Sequence, residues 1–281
     1  MSDDPTPRTT AGPTPDADAT EHDLGFEHLS LQVRGEVAFV RLQRPDARNT
    51  LTGEVLIELS VALDHVEADA DVRALVLHGE GRGFCAGADL AEFANLDDPF
   101  SGREASLNGQ DVANSLATLP IPTVAALHGF AVGGGLELAL ACDLRVAAPG
   151  TRLGLPETTR GLIPGYGGTQ RLPRLIGEGR ALDLILTGRL IDGEEALSFG
   201  LVSRVADDPL AEAEAVARAT LGNAPVALGL AKEAVKRGLD ATLPQGLEIE
   251  ADLFGLVVTT DDRAEGVRSF LEKREPEFGG R

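Results

Sequence analysis

Residues 122–148 read PTVAALHGFAVGGGLELALACDLRVAA. The run up to Leu127 is short and apolar and ends in His128-Gly129, the pattern of a strand. Three glycines, Gly133 to Gly135, break it. Leu136 to Ala141 then offers strong helix formers around one acid, Glu137. Asp143 to Ala148 returns to a strand pattern. Strand, glycine turn, helix and strand in so short a stretch describe a crossover between parallel strands, and therefore an α/β fold.

The same alternation extends upstream. VAFVRL (37–42) and VRALVLH (72–78) read as strands. Between them Val55, Leu56, Leu59, Leu63 and Val66 recur at helical spacing over 53–68, with Thr52 as the N-cap. A helix over 104–118 precedes the opening stretch. Beyond residue 180 the pattern turns helical. Asp192 with Glu195 makes a capping box and Gly200 suits the C-terminal end of that helix. Helices follow at 209–220, 225–237, 244–258 and 262–273, the last with Asp262 and Glu265 in capping spacing. Residues 1–23 are rich in Pro, Thr, Asp and Ala, with six acids and one base, and read as a disordered acidic tail. The expected division is a tail at 1–23, an α/β domain at 24–205 and a helical C-terminal region at 206–281.

Composition removes several classes of function. The 281 residues hold 25 basic and 45 acidic side chains, a net charge of −20. That balance argues against nucleic acid or an anionic membrane as partner. The N-terminus has no apolar leader, so a soluble cytoplasmic protein is expected. Cys85 and Cys142 lie in apolar runs and read as small buried hydrophobes. No HExxH or paired-histidine spacing occurs, so no metal site is expected. A P-loop is absent, and the lack of a G-x-S-x-G elbow disfavours a serine hydrolase of that type. Gly81-Arg82-Gly83-Phe84-Cys85-Ala86 imitates a dinucleotide fingerprint, but it follows the second strand and leads into the polar DDPFSGRE.

Chemistry gathers in three segments. FCAGADL (84–90) and GFAVGGGLEL (129–138) each follow a strand and are rich in small residues that leave backbone N–H groups accessible. In the second, those amides stand at a helix start, where orphan donors favour negative charge. Two such turns meeting at one point would make an oxyanion hole. The third segment carries Glu157 within GLPE, ahead of GLIPGYGGTQRL (161–172). Glu137 and Glu157 both have apolar neighbours. Partial desolvation raises a carboxyl pKa, so such a pair suits acid and base work.

Together these segments resemble the enoyl-CoA hydratase/isomerase, or crotonase, superfamily. RNTL (48–51), LTGR (186–189), EEAL (194–197), AKEAV (231–235) and EG (265–266) leading to FLEKR (270–274) add to the likeness, which runs from about Phe26 to the C-terminus. The resemblance implies a spiral of repeated β-β-α units followed by a helical trimerisation region. It implies an acyl-CoA thioester as substrate, a homotrimer or hexamer as assembly, and no cofactor beyond the coenzyme A of the substrate. By residue matching, Ala88 and Gly134 supply the oxyanion-hole amides. Ala86, Ala88, Asp89, Leu90 and Ala91 line the CoA site, with Gly134, and Ala47 and Arg48 match the loop near its nucleotide end. Glu137 becomes the base that activates water, and Glu157 the donor of a proton to Cα. The implied reaction is hydration of a trans-2-enoyl-CoA. Enoyl-CoA isomerisation is the enzymatic alternative, and an RNA-binding scaffold is disfavoured by the −20 charge. Two positions depart from the pattern: Thr50 replaces a common alanine, and Tyr166 occupies a turn position where small residues are frequent. Tyr166 would either narrow the acyl pocket or act as an ordinary half-buried aromatic.

Overall fold

The computed structural model describes residues 19–94 and 96–281. Among them the chain runs β1 (Ala19–His22), β2 (Leu29–Arg34), β3 (Val37–Leu42), α1 (Gly53–Ala68), β4 (Ala74–Gly79), α2 (Leu90–Phe93), α3 (Pro99–Thr118), β5 (Thr123–Leu127), β6 (Phe130–Val132), α4 (Gly134–Ala141), β7 (Leu144–Ala147) and β8 (Arg152–Gly154). It continues through α5 (Gly168–Ile176), α6 (Glu178–Thr187), α7 (Gly193–Phe199), β9 (Arg204–Val205), α8 (Pro209–Thr220), α9 (Pro225–Leu239), α10 (Leu243–Val257) and α11 (Asp261–Glu272).

One sheet has the strand order β1-β2-β3-β4-β5-β7-β9. The first two pairings are antiparallel and every later one is parallel. Parallel neighbours need a crossover, and α1, α3 and α4 supply it. β6 and β8 pair in a second, smaller sheet, extended by bridges from Cys85 to Ala131 and from Leu153 to Ile191. Successive turns thus give one segment to each sheet before the helix, which is the expected β-β-α spiral.

Alternating residues of one strand serve two cores. Leu75 and Leu77 of β4 pack with α1 and α3, while Ala74 and Val76 meet Ala213, Val216 and Ala217 of α8. α1 buries Val55, Leu56, Leu59, Ala62, Leu63 and Val66 along one face, and Thr52 caps it by accepting from the Val55 amide. All eight residues of α4 are buried. A helix apolar on every side belongs in the interior, and α4 carries Glu137 there with it.

Several expectations change in detail. β1 pairs with β2 from Ala19↔Arg34 to His22↔Leu31, so regular structure reaches into the segment read as tail. The rest of that tail, 1–18, lies outside the described residues. α3 begins at Pro99 rather than 104, because Asp98 caps it through the Phe100 and Ser101 amides. α8, within the segment read as the helical C-terminal region, packs on the sheet through Ala213, Val216 and Ala217. Asp262 does not cap α11. Thr260 does so through the Arg263 amide, and the buried Asp262 carboxylate accepts instead from the Gly279 and Gly280 amides, where the chain folds back. No helix among the described residues is long and apolar enough to cross a membrane.

α9 has no buried residue and α10 has one, Leu253. Two ion pairs tie α9 to the spiral. Lys232 and Lys236 place their ammonium groups 2.7 and 2.8 Å from the two oxygens of Asp143, and also donate to the Ile121 and Ala117 carbonyls.

Candidate active site

A cavity of about 1190 Å³ opens between α3, the start of α4 and the segment 156–174. It is lined by Ala47, Arg48, Ala86, Ala88, Asp89, Leu90, Gly134, Glu137 and Glu157 together. Ala91 is not in the lining. Its amide donates to Asp89 Oδ1 at 3.1 Å and so helps cap α2.

The two small-residue turns do converge. Gly87 has a φ of +99°, which favours glycine, and a Cβ there would stand 3.2 Å from the Gly134 nitrogen. A Cβ on Gly134 would stand 3.2 Å from the Ala88 nitrogen. Both amides are therefore close neighbours, and neither donates to another group among the described residues. Asn49 braces this arrangement from behind. Its buried side-chain amide donates to the carbonyls of Glu80, Gly83 and Phe84, tying the loop after β3 to the loop after β4. Asn49 and Arg48 both hold left-handed backbone, φ 54° and 55°, which costs energy for residues with a Cβ. Thr50 donates its hydroxyl to Asp89 at 3.2 Å, so the departure from alanine adds a tie to the cavity wall.

Glu137 is 2 % exposed. Its Oε1 accepts from the Tyr166 amide at 2.8 Å and from the Gly168 amide at 2.6 Å. Burial, the largest influence, pushes its pKa up to about 7; nearby Glu157 adds to the rise and the two amides oppose it. Glu157 opens a short turn, Glu157–Arg160, and its Oε1 lies 3.0 Å from where a Cβ on Gly133 would be. Its Oε2 is buried without a hydrogen-bond partner, and burial raises its pKa as well. A buried carboxyl oxygen lacking a partner is costly, and a proton or a bound water removes that cost.

The sequence singled out both glutamates but missed the groups that hold them. The PGYGGT turn was the available signal: its glycines allow the Tyr166 and Gly168 amides to reach one carboxylate oxygen. The Cys85 and Cys142 thiols are buried as expected, and burial drives both up to about 12. Among the described residues no cluster of three His, Cys, Asp or Glu side chains could hold a metal ion.

A β-β-α spiral whose cleft carries two desolvated carboxylates beside two neighbouring free amides has the architecture of the crotonase class. The comparisons agree. The family model for enoyl-CoA hydratase/isomerase matches residues 32–281. The chain is 42% identical to methylglutaconyl-CoA hydratase of Mus musculus, over 93% of this chain and 85% of the relative. It is 39% identical to the short-chain-enoyl-CoA hydratase of Clostridium acetobutylicum, over 90% and 98%. The crystal structure of an enoyl-CoA hydratase from Bacillus anthracis superimposes with a TM-score of 0.85 at 42% identity, covering 91% of this chain and all of that one. The chain belongs to the enoyl-CoA hydratase/isomerase family, and it is an enzyme of the hydro-lyase type.

Proposed function

We propose that the enzyme adds water to a trans-2-enoyl-CoA to give a 3-hydroxyacyl-CoA. The observation that carries this reading is the pairing of Glu137 and Glu157, both with raised pKa, beside the free Ala88 and Gly134 amides. The thioester oxygen accepts from both amides. Water lies between the carboxylates. Glu137 takes one proton from it as the water oxygen bonds to C3. The C2–C3 π electrons shift toward the thioester, and its oxygen gains enolate charge against the two N–H groups. Glu157 then donates a proton to C2, and Glu137 returns its proton to Glu157 through solvent. Each removed acid or base typically costs about 10²–10⁴ in rate, and a lost oxyanion donor about 10²–10³. The chemistry as written draws on no metal or redox group.

The CoA portion is assigned to the side of the cavity formed by Ala47, Arg48, Ala86, Asp89 and Leu90. The assembly proposed is a homotrimer or dimer of trimers, a reading supported by the exposed apolar side chains of α9 to α11. The location proposed is cytoplasmic, supported by the bacterial hydratases among the chain's relatives. Loss of the ultraviolet absorbance of crotonyl-CoA measures the reaction. The wild-type chain is expected to bleach it, with kcat falling about 10²–10⁴ in Glu137→Gln and in Glu157→Gln. Most of the activity surviving in either variant, with the fold intact, would remove that residue from its role. No bleaching by wild type, with turnover of a 3-enoyl-CoA instead, would move the proposal to isomerisation.

A further inference from the structure

Tyr166 and Gly109 fit as ring and hole. Tyr166 is 6 % exposed and lines the cavity. One edge of its ring presses on α3 at Gly109, where a Cβ would overlap ring carbons of Tyr166. The opposite edge lies 3.1 and 3.2 Å from where a Cβ on Gly134 would be. The ring thus spans the gap between α3 and the first residue of α4; it requires glycine at 109, and a side chain at 134 would crowd it.

The same face of α3 is bolted to this loop. Ser106 donates to the Gly165 carbonyl at 2.6 Å and Gln110 donates to it at 2.9 Å. Asn114 accepts from Arg171 at 2.6 Å, and Arg171 donates to the Tyr166 carbonyl at 3.0 Å. Positions 106, 109, 110 and 114 follow helical spacing, so one stripe of α3 fixes the ring. Gly109 itself is buried in mid-helix, where glycine is a poor helix former. Its presence is explained by the ring it admits.

Building on the hydratase reading, we infer that the Tyr166 ring, seated against Gly109, is the wall that closes the acyl cavity beyond C3 and restricts the enzyme to short 2-enoyl groups. A thioester oxygen between the Ala88 and Gly134 amides sets the ring beside the reacting carbons. A longer chain then meets Tyr166 on one side and the 106–114 stripe of α3 on the other. The Tyr166 amide that holds Glu137 belongs to the backbone, so side-chain substitutions leave that bond available.

The test compares kcat/KM for crotonyl-CoA and trans-2-decenoyl-CoA. Wild type is expected to favour crotonyl-CoA, and Tyr166→Ala to shift the ratio toward decenoyl-CoA by about tenfold or more. Tyr166→Phe keeps the ring and is expected to keep the ratio. Tyr166→Leu gives a partial shift and serves if the alanine variant does not fold. Refilling the gap from the helix, Gly109→Leu with Tyr166→Ala, is expected to restore the short-chain preference. Equal losses on both substrates in the alanine and leucine variants would reduce Tyr166 to a structural residue and overturn the inference. So would a Tyr166→Phe ratio that moves as far as the alanine one. Wild type inactive on both substrates is a different result, because it overturns the hydratase reading itself.

Discussion

α4 and α9 handle apolar and charged residues in opposite ways. α4 buries all eight of its residues, including a carboxylate, inside its own chain. α9 buries none and is fastened by two lysines on one aspartate. The neighbouring α10 and α11 expose Leu243, Leu247, Phe254, Phe270 and Leu271. Contiguous exposed apolar surface marks an interaction site. The spiral thus buries its apolar residues, and a desolvated acid with them, within one chain, whereas the outer helices leave theirs exposed, as the homo-oligomer proposed above requires.

The junction between the two regions offers the largest effect on stability. Asp143→Asn leaves the two ammonium groups without their carboxylate, Lys232 being the more buried of them. Two half-buried ammonium groups lose their one carboxylate together, which is expected to cost up to about 3 kcal/mol. Chemical denaturation is expected to show that loss, together with increased amide exchange in α9. If α9 stays as protected as in wild type, the outer helices are held by something other than this clasp.

Within the spiral, the prediction concerns pH. The pKa of Glu137 rises from an ordinary 4.5 to about 7 on folding. The folded state therefore binds that proton more tightly, and the stability this contributes is full below the unfolded value. It is lost as pH climbs through about 7, where a buried charge must be carried. Glu137→Gln removes the charge. Its melting temperature is expected to match wild type near pH 4.5 and to exceed it at roughly pH 8, by an amount worth about 3 kcal/mol. No difference at the higher pH would mean the carboxylate is not desolvated. The same titration predicts that wild-type kcat/KM falls on the acid side of about 7, where the base is protonated.

A smaller effect is expected in the outer region. Phe254→Asp places a charge on the exposed apolar face and forfeits about 2 kcal/mol of burial per copy in an assembly. Sedimentation is expected to show a smaller particle, with the circular dichroism of the spiral retained. An unchanged particle size would place the assembly surface elsewhere. The smallest effect belongs to a local cap. Thr52→Ala removes the acceptor for the Val55 amide and is expected to cost about 1 kcal/mol, with no change in particle size.

What the sequence revealed follows the same division between local and distant causes. α1 and α7 were legible because their caps, Thr52 and Asp192, bond amides three residues away. β6 and β8 were not, since three-residue strands gain their identity only by pairing with each other across the spiral. Asp262 misled for a related reason. Its spacing to Glu265 satisfies a capping pattern, but its partners, Gly279 and Gly280, arrive from the chain that follows α11. In the site, both glutamates and both small-residue turns could be named from their apolar and glycine-rich settings. The amides of Tyr166 and Gly168 could not be assigned to Glu137, because they lie 29 and 31 residues along the chain from it. The fit of Tyr166 to Gly109 was equally hidden, as it joins a loop to the middle of a helix.

The two free amides at Ala88 and Gly134 carry a consequence for descent. A carboxylate can be lost in one codon change, but a peptide N–H survives every substitution except proline. Under the proposed mechanism, mutation can therefore exchange the acid and the base while the two amides assigned to the thioester oxygen persist. Lineages inheriting such a cleft are free to change reaction without first losing the ability to stabilise an enolate, so divergence here begins from a working intermediate.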